Sequence, residues 1–205
     1  EVPLPPGFHV EWSGQFEHQM RAKRTLQVVF PAVIALIFVI LYLTYRDAAD
    51  MGIMALAVPG AVAGGALFQW LFGIHFSVAV WVGYIACFGM ATETAIVMLV
   101  YLREAVARRG ELAGIPSLEA LTEAVMEGAV NRLRPKLLTE GTTILGLVPM
   151  LWATGTGAEI MRPMAAPILG GILVADEVID ILVPILFHWV QRRRWERLHG
   201  GRLIA

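Results

Sequence analysis

Long uncharged stretches alternate with short charged ones along this chain, and the uncharged stretches are of membrane length. No charged residue falls between Arg24 and Arg46, and none occurs from Met51 to Thr92. A bilayer core takes roughly 20 apolar residues per helical crossing, so the second stretch holds nearly two. The pattern predicts five spans, at about 25–45, 51–72, 76–102, 137–155 and 162–190. Pro31 is placed to kink the first span. RDAAD (46–50), FGIHFS (72–77) and the Gly-rich TGTGAE (154–159) supply tight connections.

Between the third and fourth spans lies SLEALTEAVMEGAVNRL (117–133). Leu118, Leu121, Val125, Ala129 and Leu133 recur there at helical spacing with carboxylates opposite. This suits a cytoplasmic amphipathic helix over about 117–133 lying in the membrane interface; a soluble helix packed on a neighbour fits the pattern equally. Residues 1–24 read as a polar tail outside the membrane and the start of the first helix. Within them FHVEW (8–12) alternates like a short strand and Ser13 is placed as a helix cap. Residues 191–205 form a basic tail. The expected fold class is an all-α integral membrane protein with about five transmembrane helices plus the amphipathic helix.

Composition supports this. The chain is 57% hydrophobic and 16% charged, against about a quarter charged in soluble domains. Twelve of its sixteen basic residues fall on the side holding the 46–50 turn, the 103–136 segment and the tail. Basic residues mark the cytoplasmic side, which puts the N-terminus outside and the C-terminus in the cytoplasm; Arg21, Lys23 and Arg24 run against that assignment. A net charge of −1 points to no nucleic-acid partner. The single Cys87 excludes a disulfide framework and a Cys-based zinc site. The first residue is not Met and EVPLPPG is Pro-rich, so the sequence reads as an excerpt or a processed product. Gly60 and Gly64 in the second span have GxxxG spacing, which suits close helix packing within one bundle better than dimerisation.

The charges inside the spans are the candidate chemistry. An Asp, Lys or Arg at a helix centre costs about 2.5–3.5 kcal/mol on the insertion scale, so such groups face a bundle interior and mark function. Glu93, between Thr92 and Thr94 in the third span, is placed as a proton carrier; the competing reading is a permanently protonated acid bonded to a neighbouring helix. Lys136 stands at the mouth of the fourth span with Glu140 one turn on, at the i, i+4 spacing that allows pairing. A snorkelling interfacial anchor explains Lys136 equally well. In the fifth span Asp176, Glu177 and Asp180 lie within roughly 100° of each other. On the order of 8–10 kcal/mol would be lost if all three faced lipid, so they should face protein or water. Shared protons, a bound cation or pairing with Lys136 would relieve their repulsion. A helix broken after Gly170 and Gly171 would instead leave them in water.

Met161 and Met164 share a helical face, and thioether sulfur suits soft Cu(I), although a Met pair is more often packing. His9, His18, Glu11 and Glu17 match no compact ligand spacing. No HExxH, GxSxG, P-loop or CxxC pattern occurs. An intramembrane aspartyl protease would need a GxGD-like setting and a second facing Asp, which are missing, so the chain reads as no enzyme.

Several ordered motifs together carry a resemblance: LPPGFHVEWSGQFE, GYIACFGMATETAIVMLVYLRE, GAVNRLRPKLLTEG, LVPMLWATGTGAEIMRPMAAPILGG and the basic tail. From about residue 4 to 195 the chain is similar to the C-terminal membrane half of heavy-metal efflux pumps of the resistance-nodulation-division superfamily, in its copper/silver branch. The resemblance implies the last five of twelve spans, proton-coupled metal export from the bacterial inner membrane, and no cofactor beyond the transported ion. It implies proton-relay roles for Glu93 and Lys136 and a metal-relay role for Met161. The implied partners are the N-terminal half of the transporter, a periplasmic adaptor and an outer-membrane channel.

Two features depart from that pattern. The family's principal proton-carrying Asp lies in the N-terminal half. Glu140 and the acids of ADEVID stand where relatives carry small or apolar residues, which makes Glu140, Asp176, Glu177 and Asp180 additional relay candidates. The second expectation is a short stand-alone oligomeric membrane protein that binds metal or plays an accessory role without pumping.

Overall fold

The computed structural model describes residues 15–45 and 47–200. The strand expected at 8–12, its Ser13 cap, His9, Glu11 and residues 201–205 lie outside the described residues, as does the side chain of His18. Seven helical segments occur among the described residues: α1 Gln15–Tyr45, α2 Ala48–Ala55, α3 Ala57–Leu71, α4 Val78–Arg108, α5 Glu111–Gly114, α6 Leu118–Leu151 and α7 Ala158–His199. There is no strand among them, and the architecture is the all-α membrane bundle that the hydropathy pattern predicts.

Three stretches are long and apolar enough to cross a membrane: Met20–Leu43, Ala48–Leu71 and Val78–Arg108. α6 and α7 are longer than a bilayer needs, at 34 and 42 residues. Their apolar runs are interrupted by Lys136 and Glu140 and by Asp176, Glu177 and Asp180 respectively. Local chemistry places the helix starts. Asp47 accepts the Ala49 amide at 3.0 Å, Ser77 accepts Val80 N–H at 3.4 Å, and Ser117 accepts Ala120 N–H at 3.2 Å. Gly157, at φ +94°, opens α7 in a conformation that side chains disfavour.

α7 is the central helix, packed most extensively against α3 and α4, with α6 alongside. Small residues set this closeness. A Cβ at Gly64 would stand 2.1 Å from the Gly170 carbonyl oxygen, and one at Gly171 would stand 2.0 Å from the Cys87 sulfur. Gly60 and Gly64 therefore serve contacts inside the bundle. α1 is held by Leu41, which is buried in the core, and by Phe30, whose ring meets Trp81 edge-on at 5.1 Å and Phe88 at 5.3 Å. Much of its apolar surface, including Val28, Leu36, Val39 and Leu43, remains exposed, as suits a helix in contact with lipid.

Two boundaries differ from the sequence expectation, and the fifth span has the continuity expected of it. The segment expected as a separate amphipathic helix at 117–133 is helical but runs without a break through Pro135 into the fourth span. Its Leu121 and Val125 are buried, and Gly128 lies against the α4 backbone at Tyr101 and Leu102. Packing on a neighbour overrides the proline here. The fifth span is unbroken at Gly170 and Gly171, where α3 and α4 hold it, so its acids are part of one continuous helix. α7 also continues past 190, through the basic segment to His199.

Candidate functional site

The site grows from one buried cation. Lys136 is 2% exposed, although it is the residue that sequence reasoning would equally allow at the membrane surface. A buried ammonium must find partners for its three N–H groups. Nζ donates to Asp180 Oδ2 at 2.5 Å and to the Asp176 backbone carbonyl at 3.2 Å. It also stands 3.3 Å from Glu140 Oε1, one turn along its own helix. Asp176 is itself buried.

Beside this cluster is a cavity of about 60 Å³, lined by Glu93 and Thr94 from α4, Arg132, Lys136, Thr139 and Glu140 from α6, and Asp176 from α7. Glu93 is exposed and stands on its rim. The structure thus brings Glu93, Lys136, Glu140, Asp176 and Asp180 to one place where three helices meet. Glu177 is left out. Its 100° offset from Asp176 is enough to turn it out of the α6–α7 contact, and it is exposed. The single acidic face expected on the fifth span is therefore split.

Sequence reasoning missed Arg132. The signal was available, since Arg132, Lys136 and Glu140 recur at four-residue spacing and so share a face of α6. Arg132 Nε, Glu140 Oε1 and Asp180 Oδ1 are buried without a hydrogen-bond partner.

Met161 and Met164 are elsewhere. They precede Asp176 by fifteen and twelve residues on α7, or roughly 18–22 Å at 1.5 Å rise per residue. Met161 is 36% exposed in the second turn of α7, and Met164 is half-buried. Among the described residues no group of three or more His, Cys, Asp or Glu is arranged to hold a metal ion.

A second charged cluster was not anticipated. Asp50, fully buried at the start of α2, pairs with Arg103 of α4. Asp47 pairs with Arg194 of α7 at 2.6 Å and lies 4.0 Å from Arg103. Partial burial pushes the Asp47 carboxyl up, but the Arg194 hydrogen bond, the Ala49 amide and the charges of Arg194 and Arg103 outweigh it. The carboxyl therefore sits below its ordinary range.

Residues 1–191 match the model of the AcrB/AcrD/AcrF family. The chain is 39% identical over 204 residues to the cation efflux system protein CusA of Escherichia coli K12, covering 95% of this chain and 19% of that protein. It is 37% identical over 193 residues to the cobalt-zinc-cadmium resistance protein CzcA of Cupriavidus metallidurans, covering 94% of this chain and 17% of that one. A crystal structure of a heavy metal efflux pump superposes with a TM-score of 0.71 at 36% identity, over 93% of this chain and 18% of the pump. The chain spans about a fifth of the length of these relatives. With a family match over nearly all its residues and the fold of a heavy metal efflux pump, this chain belongs to the AcrB/AcrD/AcrF family.

Proposed function

We propose that this chain is the membrane portion of a proton-coupled heavy-metal efflux transporter, in which Glu93 and Lys136 relay protons. The observation that carries this reading is the burial of Lys136 among carboxylates, beside a cavity that reaches Glu93. A lysine kept only for anchoring would reach for the membrane surface; this one is turned inward, where it balances negative charge. A carboxyl group on the cavity rim can take a proton from one side, and the Lys136 ammonium offsets whichever carboxylate remains ionised. Glu140, Asp176 and Asp180 extend the relay, while Glu177 stands outside it.

The chain lies in the bacterial inner membrane with its N-terminus periplasmic and its C-terminus cytoplasmic, crossing five times. Glu93 and Thr139 are exposed on the outer face of the bundle. In hydrocarbon an exposed acid is costly, so a second helical body covers this face. The N-terminal half of the transporter is the fitting partner, with a periplasmic adaptor and an outer-membrane channel completing the export route. Cu(I) or Ag(I) is the cargo, and this assignment rests on the soft thioether of Met161. The relatives' names range from cation efflux to cobalt-zinc-cadmium resistance.

Glu93→Gln in the complete transporter tests the reading. Reconstituted in proteoliposomes, the variant should lose metal-dependent proton flux while still binding metal. Unchanged flux would overturn the proton role.

A further inference from the structure

The end of α7 has one face docked and one face open. Gln191 is buried, Arg194 pairs with Asp47 at 2.6 Å, and the Trp195 indole N–H donates to the Ile115 carbonyl at 2.9 Å. These contacts fix the helix end against the bundle. On the opposite side Leu182, Ile185, Trp189, Arg193, Glu196 and Arg197 fall within roughly 120° of one another, and all six are exposed.

The chemistry along that face changes in a fixed order. Measured from Trp189, Leu182 and Ile185 lie about 6–11 Å toward the membrane core, and Arg193 and Arg197 about 6–12 Å away from it. An indole favours the bilayer interface. The apolar pair therefore sits at acyl-chain depth and the two guanidinium groups at phosphate depth. Arg193 Cζ stands 3.6 Å from the centre of the Trp189 ring. Stacking occupies the flat face of the guanidinium, while its N–H donors lie in its plane and stay available at the edge, where they match phosphate oxygens in pairs. Glu196 is the one acid on this face, and Arg192 Nε donates to it at 2.8 Å. Among the described residues Arg193 and Arg197 have no carboxylate partner. The face thus carries two uncompensated positive charges beyond an apolar strip.

We propose that Trp189, Arg193 and Arg197 form a binding site for an anionic phospholipid, whose phosphate the two guanidinium groups hold while an acyl chain lies along Leu182 and Ile185. Acyl chain, interface and phosphate follow one another along the face as they do along one lipid molecule. A soluble anion would make no use of the apolar strip, and an apolar helix packed here would leave both arginines without a counter-charge. Neither the proton relay nor the metal cargo enters this inference.

The test reads lipid contact at Trp189. The full protein is reconstituted in phosphatidylcholine nanodiscs doped with phosphatidylglycerol or phosphatidylcholine brominated high on the acyl chain. Quenching of Trp189 is taken as the difference between wild type and Trp189→Phe. Brominated phosphatidylglycerol should quench at a lower mole fraction than brominated phosphatidylcholine, by about fivefold for each arginine, the usual effect of a basic residue at an anionic surface. Arg193→Gln combined with Arg197→Gln should abolish the preference. Arg134→Gln, which removes an exposed arginine of α6 away from this face, should keep it. Equal quenching by the two lipids in wild type would overturn the proposal, as would a preference that survives the double substitution or one lost equally in Arg134→Gln. Absence of quenching by either lipid would show that another part of the transporter covers the face, and would overturn it too. Inorganic phosphate added at constant ionic strength should leave the quenching unchanged; competition by it would assign the arginines to a soluble anion instead.

Discussion

Asp47 and Arg194 are 147 residues apart in sequence and 2.6 Å apart in space. Their ion pair joins the turn between α1 and α2 to the last part of α7. Both side chains are partly exposed, so the pair stabilises the fold by about 1 kcal/mol at most. Arg194→Ala should lower the melting temperature in detergent by a small, measurable amount at pH 7. The pH dependence follows from the direction of the Asp47 shift. Its carboxyl sits below the ordinary value of 3.8 in the folded state. The contribution is therefore complete above that value and is lost as pH falls through the lower, folded one. The stability difference between wild type and Asp47→Asn should be constant from pH 7 to pH 5 and shrink below pH 4; a difference that grew on acidification would contradict the pairing.

The Asp50–Arg103 pair should matter more. Asp50 is fully buried and Oδ1 has no hydrogen-bond partner, so its charge depends on Arg103. Breaking a buried pair from one side costs about 3–5 kcal/mol, because the other charge is left stranded. Arg103→Ala strands the buried carboxylate, whereas Asp50→Asn leaves an arginine that is 37% exposed and can turn to water. Denaturation should therefore rank Arg103→Ala below Asp50→Asn, with about 3 kcal/mol lost in the former. Equal losses would mean that the guanidinium has no access to water.

The reach of the sequence divides along physical lines. Uncharged stretches gave the helices, and i, i+4 spacing gave the Lys136–Glu140 pair, because both signals are local. Pairing of Lys136 with an acid of the fifth span was one of three ways to relieve the repulsion there, and only tertiary packing selects Asp180. Asp50 and Arg103 carried no signal, since an acid in a turn and an arginine at a helix end look like ordinary solvated charges. Residues 117–133 and 137–155 read as two helices, yet contacts of α6 with α4 and α7 carry one helix through Pro135 between them. Glu177 was grouped with its neighbours by angle alone. An offset of 100° suffices to move a side chain from a helix contact to the surface when that contact is narrow.

The seam between α3 and α7 should not tolerate added volume. An alanine at Gly64 would put its methyl group against the Gly170 carbonyl, a backbone atom that cannot turn aside. Gly64→Ala should destabilise the protein by about 1–3 kcal/mol, the usual range for overpacking. Gly52→Ala, where nothing lies within 4 Å of the added carbon, serves as the control. As a helix-interior substitution it should be neutral or stabilising by up to about 1 kcal/mol. Thermal melts of the two variants in the same detergent decide the matter, and equal melting temperatures would show that the helices can separate at no cost.

Metal handling and proton handling should separate by mutation, because Met161 and Asp176 are fifteen residues apart on one helix. Met161→Leu keeps the volume and apolar character of the side chain and removes only its soft sulfur. At a position 36% exposed, stability should change by less than about 0.5 kcal/mol. If the thioether hands on a soft ion, Ag(I) flux should fall at least about tenfold, in line with losses seen on perturbing metal-ligand shells. Lys136→Met should behave in the opposite way. It should bind Ag(I) as tightly as wild type and yet show no flux driven by a proton gradient, since the buried carboxylates lose their counter-charge. Equilibrium Ag(I) binding and gradient-driven flux, measured on both variants, give a two-by-two outcome. Loss of binding in Lys136→Met would join the two regions into one site, against the separation that the helix geometry imposes.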